Sequence, residues 1–197
     1  MAKWAVRAAI WIWVGYWLVQ IFIGDLGASP ALKLNHEFGT IALVLLTVNL
    51  VLGALLSLLK PAPKAIRYWL SERRFWGVSA AMVLLIHVLF YFINEGFEFK
   101  AVTQIYTKTY LIFASLALLI IQTLALTSNN YSVRKLGGKK WKRLHRSVYA
   151  VQLLLIGHLL LIEKADLIKY SVWLGALLAL QVLRFAWAAY RKKPLKT

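Results

Sequence analysis

The sequence predicts an all-α integral membrane bundle of six transmembrane helices with both termini cytoplasmic, and three observations carry that expectation. Of the 197 residues, 61% are hydrophobic and the mean hydropathy is +0.66, which is too apolar for an ordinary soluble domain. The apolar residues gather into six runs close to the roughly 20 residues that cross a bilayer. The charged residues, 24 basic and 7 acidic, sort between alternate loops as the positive-inside rule describes.

The runs are approximately Trp4–Ile23, Glu37–Leu59, Phe75–Ile93, Lys108–Thr127, Arg143–Ile162 and Tyr170–Tyr190. The first begins like a signal peptide, with Lys3 and Arg7 ahead of an apolar core and Gly27-Ala28-Ser29 after it. Its core is rich in tryptophan (Trp11, Trp13, Trp17), so it reads as a retained first helix rather than a cleaved one. Pro61 and Pro63 mark the loop after the second run, and Gly137-Gly138 the loop after the fourth. Trp69, Trp76, Trp141 and Trp173 fall near predicted helix ends, where aromatic belts anchor a bundle.

Loop charge sets the orientation. Lys60, Lys64, Arg67, Arg73 and Arg74 lie between runs two and three. Arg134, Lys135, Lys139, Lys140, Lys142 and Arg143 lie between runs four and five, and Arg191, Lys192, Lys193 and Lys196 close the chain. The other loops hold only Lys33, Lys100, Lys108, Lys164 and Lys169, together with Asp25, Glu37, Glu95, Glu98, Glu163 and Asp166. The basic loops and both termini therefore face the cytoplasm. No extramembrane stretch is long enough for a second domain, so residues 1–197 read as one domain, with no internal repeat and no low-complexity tract.

Composition also excludes. The absence of cysteine removes structural disulfides, thiolate-held iron–sulfur clusters and a c-type haem, which needs C-x-x-C-H. The formal charge of +17 is distributed in short clusters between apolar runs, a membrane pattern and not a nucleic-acid-binding one.

The informative residues are histidines within or at the ends of apolar helices. An ionisable side chain there is costly and marks a functional site by default, and neutral imidazole is a strong ligand for haem iron. His87 lies about twelve residues into the third run and His158 about fifteen into the fifth, and these helices run in the same direction, so at about 1.5 Å per residue the two reach similar depth. Two imidazoles at one level can clamp an iron from both faces. Gly157 beside His158 would allow a flat macrocycle to approach the backbone. The competing role for each histidine is a hydrogen bond to another helix.

His145 stands roughly 20 Å lower on the same predicted helix, near the cytoplasmic face, where it suits a second haem. Its ring is not predicted to share a face with His158. Arg74 and Arg73 precede His87 by thirteen and fourteen residues and should lie at the depth of His145. Arginine stays protonated and is a poor iron ligand, but it suits a haem propionate. His36 falls at the outer start of the second run, an interfacial position.

The run Leu136-Gly137-Gly138-Lys139-Lys140-Trp141-Lys142-Arg143-Leu144-His145-Arg146-Ser147-Val148-Tyr149, followed by His158, is the most specific stretch. It resembles the MsrQ (YedZ) group of haem-binding membrane subunits of bacterial periplasmic methionine-sulfoxide reductase systems, within the ferric-reductase-like transmembrane family. Gly24-Asp25-Leu26-Gly27-Ala28-Ser29-Pro30 with His36, Arg73-Arg74 with Gly77 and His87, and Ala125-Leu126-Thr127-Ser128 match in the same order. The resemblance covers about residues 24 to 165. It implies haem b, one or two per chain, in the bacterial inner membrane. It implies electron transfer from a cytoplasmic flavin reductase to a periplasmic, molybdenum-containing MsrP-like partner. Carried over by position, His87 and His158 match the outer-haem histidines and His145 the inner one.

The eleven glycines contain no G-x-G-x-x-G fingerprint, and no βαβ pattern is present. The chain therefore takes no hydride from NAD(P)H by itself. Its electrons come from outside, or from a flavin such as FMN or a quinol at the basic cytoplasmic face. Two other readings stay open: a ferric-reductase-like electron carrier with another acceptor, and a small transporter that uses its intramembrane histidines.

Overall fold

A computed structural model describes residues 2–24, 26–59, 61, 63–162 and 167–191. Of the loop charges used above, Asp25, Lys60, Glu163, Lys164, Asp166, Lys192, Lys193 and Lys196 lie outside the described residues. All regular structure among the described residues is helical: α1 (Ala2–Ile23), α2 (Pro30–Leu58), α3 (Lys64–Leu70), α4 (Arg73–Asn94), α5 (Phe99–Thr107), α6 (Thr109–Leu126), α7 (Asn130–Leu136), α8 (Gly138–His145), α9 (Val148–Leu160) and α10 (Leu167–Tyr190). The chain is an all-α membrane bundle. Five helices are long and apolar enough to cross a membrane: α1, α2, α4, α6 and the 172–190 part of α10.

The fifth predicted run differs. It is two helices, α8 and α9, separated at Arg146 and Ser147. The α8 sequence, GKKWKRLH, is too polar to lie in hydrocarbon beside the apolar α9. At the junction the Ser147 hydroxyl donates to the Leu144 carbonyl (2.8 Å) and Arg146 N–H to the Lys142 and Arg143 carbonyls, so the backbone groups are satisfied as the helix turns. His145 and His158 therefore sit on different helices. The angular relation expected from one continuous helix does not apply. Three predicted loops are also short helices, α3, α5 and α7. Gly137, at φ +73°, makes the corner between α7 and α8, where a side chain would strain the backbone.

The helix α2 is central. Leu34, Phe38, Ile41, Ala42 and Ala54 on it are at most 1% exposed, as expected of a helix apolar all round. It packs most extensively on α4, while α6 packs on α9, and α10 leans on both α2 and α9. In a bilayer, water no longer drives apolar faces together, so close approach of small residues matters more. Ala42 and Ala54 of α2 and Ala80 and Ala81 of α4 supply it in the buried core. Phe38 and Phe90 stack across the interface, 5.5 Å between centroids.

The helix α1 is peripheral, with Val14 its single buried residue. A polar clasp ties its start to the α3–α4 turn. Arg7 Nε and Nη2 donate to the two carboxylate oxygens of Glu72 at 2.7 and 3.1 Å, with Lys3 at 3.5 Å. Glu72 is 2% exposed. The hydrogen bonds from Arg7 hold its carboxyl below the ordinary range, against the opposing effect of burial.

Candidate functional site

The helices α2 and α4 run antiparallel, and the register brings two polar residues of α2 onto two of α4. Near the start of α2, the Asn35 side-chain amide donates to the His87 carbonyl at 2.8 Å, and His87 Nδ1 lies 2.7 Å from the Asn35 carbonyl. Fourteen residues further along α2, Asn49 Nδ2 donates to the Arg73 carbonyl at 2.9 Å, and Arg73 Nε donates to Asn49 Oδ1 at 2.8 Å. Each rung has its glycine. A Cβ on Gly39 would stand 3.0 Å from His87 Nδ1, and one on Gly53 would stand 3.1 Å from an Arg73 Nη atom. Both glycines let α2 close on a bulky polar side chain of α4.

A carbonyl oxygen only accepts, so the ring nitrogen facing it must carry the proton. His87 is therefore protonated at Nδ1, which donates to the Asn35 carbonyl. His158 is held the same way: its Nδ1 lies 2.9 Å from the Tyr110 carbonyl at the start of α6. Both imidazoles then present an Nε2 lone pair, and neither Nε2 makes a hydrogen bond among the described residues. This is how metal-binding histidines are oriented, with the second nitrogen donating to a carbonyl or carboxylate. The two rings lie within electrostatic reach of each other, on helices α4 and α9 that make little direct contact, and both stay half-buried.

His145 is arranged differently. It ends α8 with its ring stacked on Trp141, 3.9 Å between centroids. Its Nε2 lies 3.2 Å from the Thr127 hydroxyl, which itself donates to the Thr123 carbonyl at 2.8 Å. The hydroxyl hydrogen is thus used, so His145 Nε2–H donates and its lone pair is on Nδ1. Arg73 and Arg74 both lie within electrostatic reach of this ring, as their depth implied. Arg74 donates to Asn130 Oδ1 (2.9 Å). His36 is exposed, within electrostatic reach of His87.

Gly157 is not open to a macrocycle. A Cβ there would meet the Phe113 ring at 2.8 Å, so this glycine serves the packing of α9 on α6. Sequence reasoning also missed Asn35, Gly39, Asn49 and Gly53. Their signal is the pattern Asn-x3-Gly, present twice in α2 at a spacing of fourteen residues.

Among the described residues no group of three or more histidines and acids is placed to hold a bare metal ion. A haem asks less of the protein, because the macrocycle fills four positions and leaves two axial ones. Two carbonyl-anchored imidazoles with unengaged Nε2 atoms fit that requirement. The site thus defines a membrane helical bundle with paired histidines suited to axial ligation.

The chain belongs to the family described as ferric reductase like transmembrane component, which it matches over residues 38–156. Arg73, Arg74, His87 and His145 fall inside that segment, and His158 lies two residues beyond it. The chain is also 33% identical over 189 residues to the protein-methionine-sulfoxide reductase heme-binding subunit MsrQ of Rhodospirillum rubrum, covering 92% of this chain and 85% of that one. It is 29% identical over 167 residues to the magnetosome protein MamZ of Magnetospirillum gryphiswaldense, which covers 82% of this chain but 24% of that longer protein. No solved structure matches. Five bilayer-length helices and a transmembrane family together make this a multi-pass membrane protein.

Proposed function

We propose that the chain is a b-type cytochrome of the bacterial inner membrane, a single domain over residues 1–197. It passes electrons from a cytoplasmic flavin- or NAD(P)H-dependent reductase to a periplasmic MsrP-like methionine-sulfoxide reductase. The observation that carries this reading is the anchoring of His87 and His158 by backbone carbonyls, which leaves both Nε2 atoms without a hydrogen bond among the described residues. The likeness to a subunit named for haem binding and for methionine-sulfoxide reductase supports the cofactor and the partner.

On this reading His87 and His158 hold the outer haem b by Nε2, while the carbonyls of Asn35 and Tyr110 fix the rings and raise their basicity. His145 holds an inner haem, with Arg73 and Arg74 available to its propionates. Bound haem supplies an iron centre that accepts and gives one electron at a time. The basic loops, cytoplasmic by the positive-inside rule, attract the donor, and Lys139, Lys140 and Lys142 of α8 are exposed for it.

The test is reduction of the protein in oriented vesicles. Donor added on the basic side should reduce the haem, more slowly as salt rises. Reversing charge at Lys139, Lys140 and Lys142 should slow reduction without altering the oxidised spectrum. Reduction equally fast from either side, or indifferent to these charges, would contradict the directional reading.

A further inference from the structure

We propose a binding site for one anionic phospholipid in the cleft between α9 and α10, separate from the histidines. The cleft holds about 140 Å³. Leu153 of α9 and Leu178, Val182 and Phe185 of α10 form its apolar wall, and each is between 36% and 61% exposed. In a bundle of this hydropathy such side chains face the bilayer, so the cleft opens sideways to the lipid phase.

Tyr149, Gln152 and Gln181 also line the cleft, and Arg184 beside it is joined to Tyr149 and Gln181. Arg184 Nη1 donates to the Tyr149 hydroxyl and, at 3.1 Å, to Gln181 Oε1. Its guanidinium lies 4.5 Å from the Tyr149 ring centroid and 4.6 Å from that of Phe185. Its Nε and Nη2 donate to no acceptor among the described residues, and no carboxylate meets it, since the ion pairs among them all converge on Glu72. Gln152 is 3% exposed, yet its Nε2 is buried without a hydrogen-bond partner. An unmet buried donor is costly and unusual in a folded protein.

A guanidinium without an acid, one unmet amide donor and an apolar trough open to lipid describe a single kind of occupant. It has an anionic head rich in acceptors and a hydrocarbon body. A phosphodiester accepts charge-assisted hydrogen bonds from the free edge of Arg184, and an ester or phosphate oxygen meets Gln152. An acyl chain lies along Leu178, Val182 and Phe185. Basic pockets between membrane helices recognise acidic lipids by this chemistry. A neutral head would leave the charge uncompensated.

The test is native mass spectrometry of the full chain in mild detergent, titrated with phosphatidylglycerol or with phosphatidylcholine of the same acyl chains. The wild-type protein should retain one phosphatidylglycerol with a preference of about tenfold, the effect of one charge-assisted contact. Arg184→Gln should abolish the preference, Gln152→Leu should weaken retention, and Arg134→Gln on α7 should change neither. Tyr149→Phe, which frees Arg184 without removing its charge, serves where Arg184→Gln fails to fold and should keep the preference. Equal retention of the two lipids, or a preference surviving both Arg184→Gln and Gln152→Leu, would overturn the site. So would displacement of the lipid by a neutral quinone analogue at equal concentration. Lipid is read by mass and haem by absorbance, so either reading can fail alone.

Discussion

At one end of the α2–α4 interface Asn35 and Gly39 frame His87, and fourteen residues further along α2 Asn49 and Gly53 frame Arg73. The two rungs share one construction, in which an asparagine bonds the opposing backbone and a glycine makes room for a polar side chain. They differ in what they present. The first offers an imidazole whose Nε2 makes no hydrogen bond among the described residues, within electrostatic reach of a second imidazole, His158, prepared in the same way. The second offers a guanidinium, which cannot give a lone pair to iron. The histidine near it, His145, has its Nε2 engaged by Thr127 and its ring covered by Trp141. One level thus holds two carbonyl-anchored imidazoles whose Nε2 atoms make no hydrogen bond among the described residues, while the other has one histidine and a basic surround.

The largest effect that would sharpen this contrast is at His145. His145→Ala should lower haem content by about one per chain, because no other histidine lies at that rung, and should leave the outer spectrum unchanged. A wild-type chain that carries a single haem under gentle extraction would break the two-level account. Next in size is Arg73→His, which places a second imidazole in the frame of Asn49 and Gly53. It should convert the inner haem toward a low-spin, six-coordinate form, and an unchanged spin state would show that the rungs are not equivalent.

Gly39→Ala should come third. Its Cβ would press on His87 Nδ1 and disturb the bond to Asn35, and such loss of outer support costs about 10- to 100-fold in affinity at metal sites. Gly53→Ala meets the movable tip of Arg73 and should cost less. Equal haem retention in the two variants would deny the outer rung its special role.

The smallest effect is at the α1 clasp. The Glu72 carboxyl is held below its ordinary value of 4.5 by Arg7. Its contribution is present above that value and is lost as pH falls through the lower, folded-state value. Thermal stability of the wild type should therefore fall on acidification, and Glu72→Gln, already without the clasp, should show a smaller fall over the same range. Identical acid sensitivity would place the loss elsewhere.

Five of the six membrane runs were legible because apolar length alone identifies them, and α1, α2, α4, α6 and α10 follow. The fifth was read as one helix because a hydropathy window averages across Arg146 and Ser147, where the chain breaks on local hydrogen bonds. The helices α3, α5 and α7 are shorter than ten residues, too short for a bilayer-length apolar window to register. The histidines stood out because imidazole is rare in hydrocarbon. Their neighbours did not, because the partnership of Asn35 with His87 depends on an antiparallel register that no single segment encodes. Gly157 misled for the same reason. Its small size was visible, but that Phe113 fills the space is a property of how α6 meets α9.

The central claim is that His87 and His158 together form an axial pair. Low-temperature electron paramagnetic resonance of the oxidised protein, with haem per chain measured on the same sample, tests it most directly. The account predicts a low-spin bis-imidazole signal in the wild type that disappears in both His87→Ala and His158→Ala, while each variant still inserts in the membrane and keeps any inner haem. A low-spin signal undiminished in either variant would contradict it.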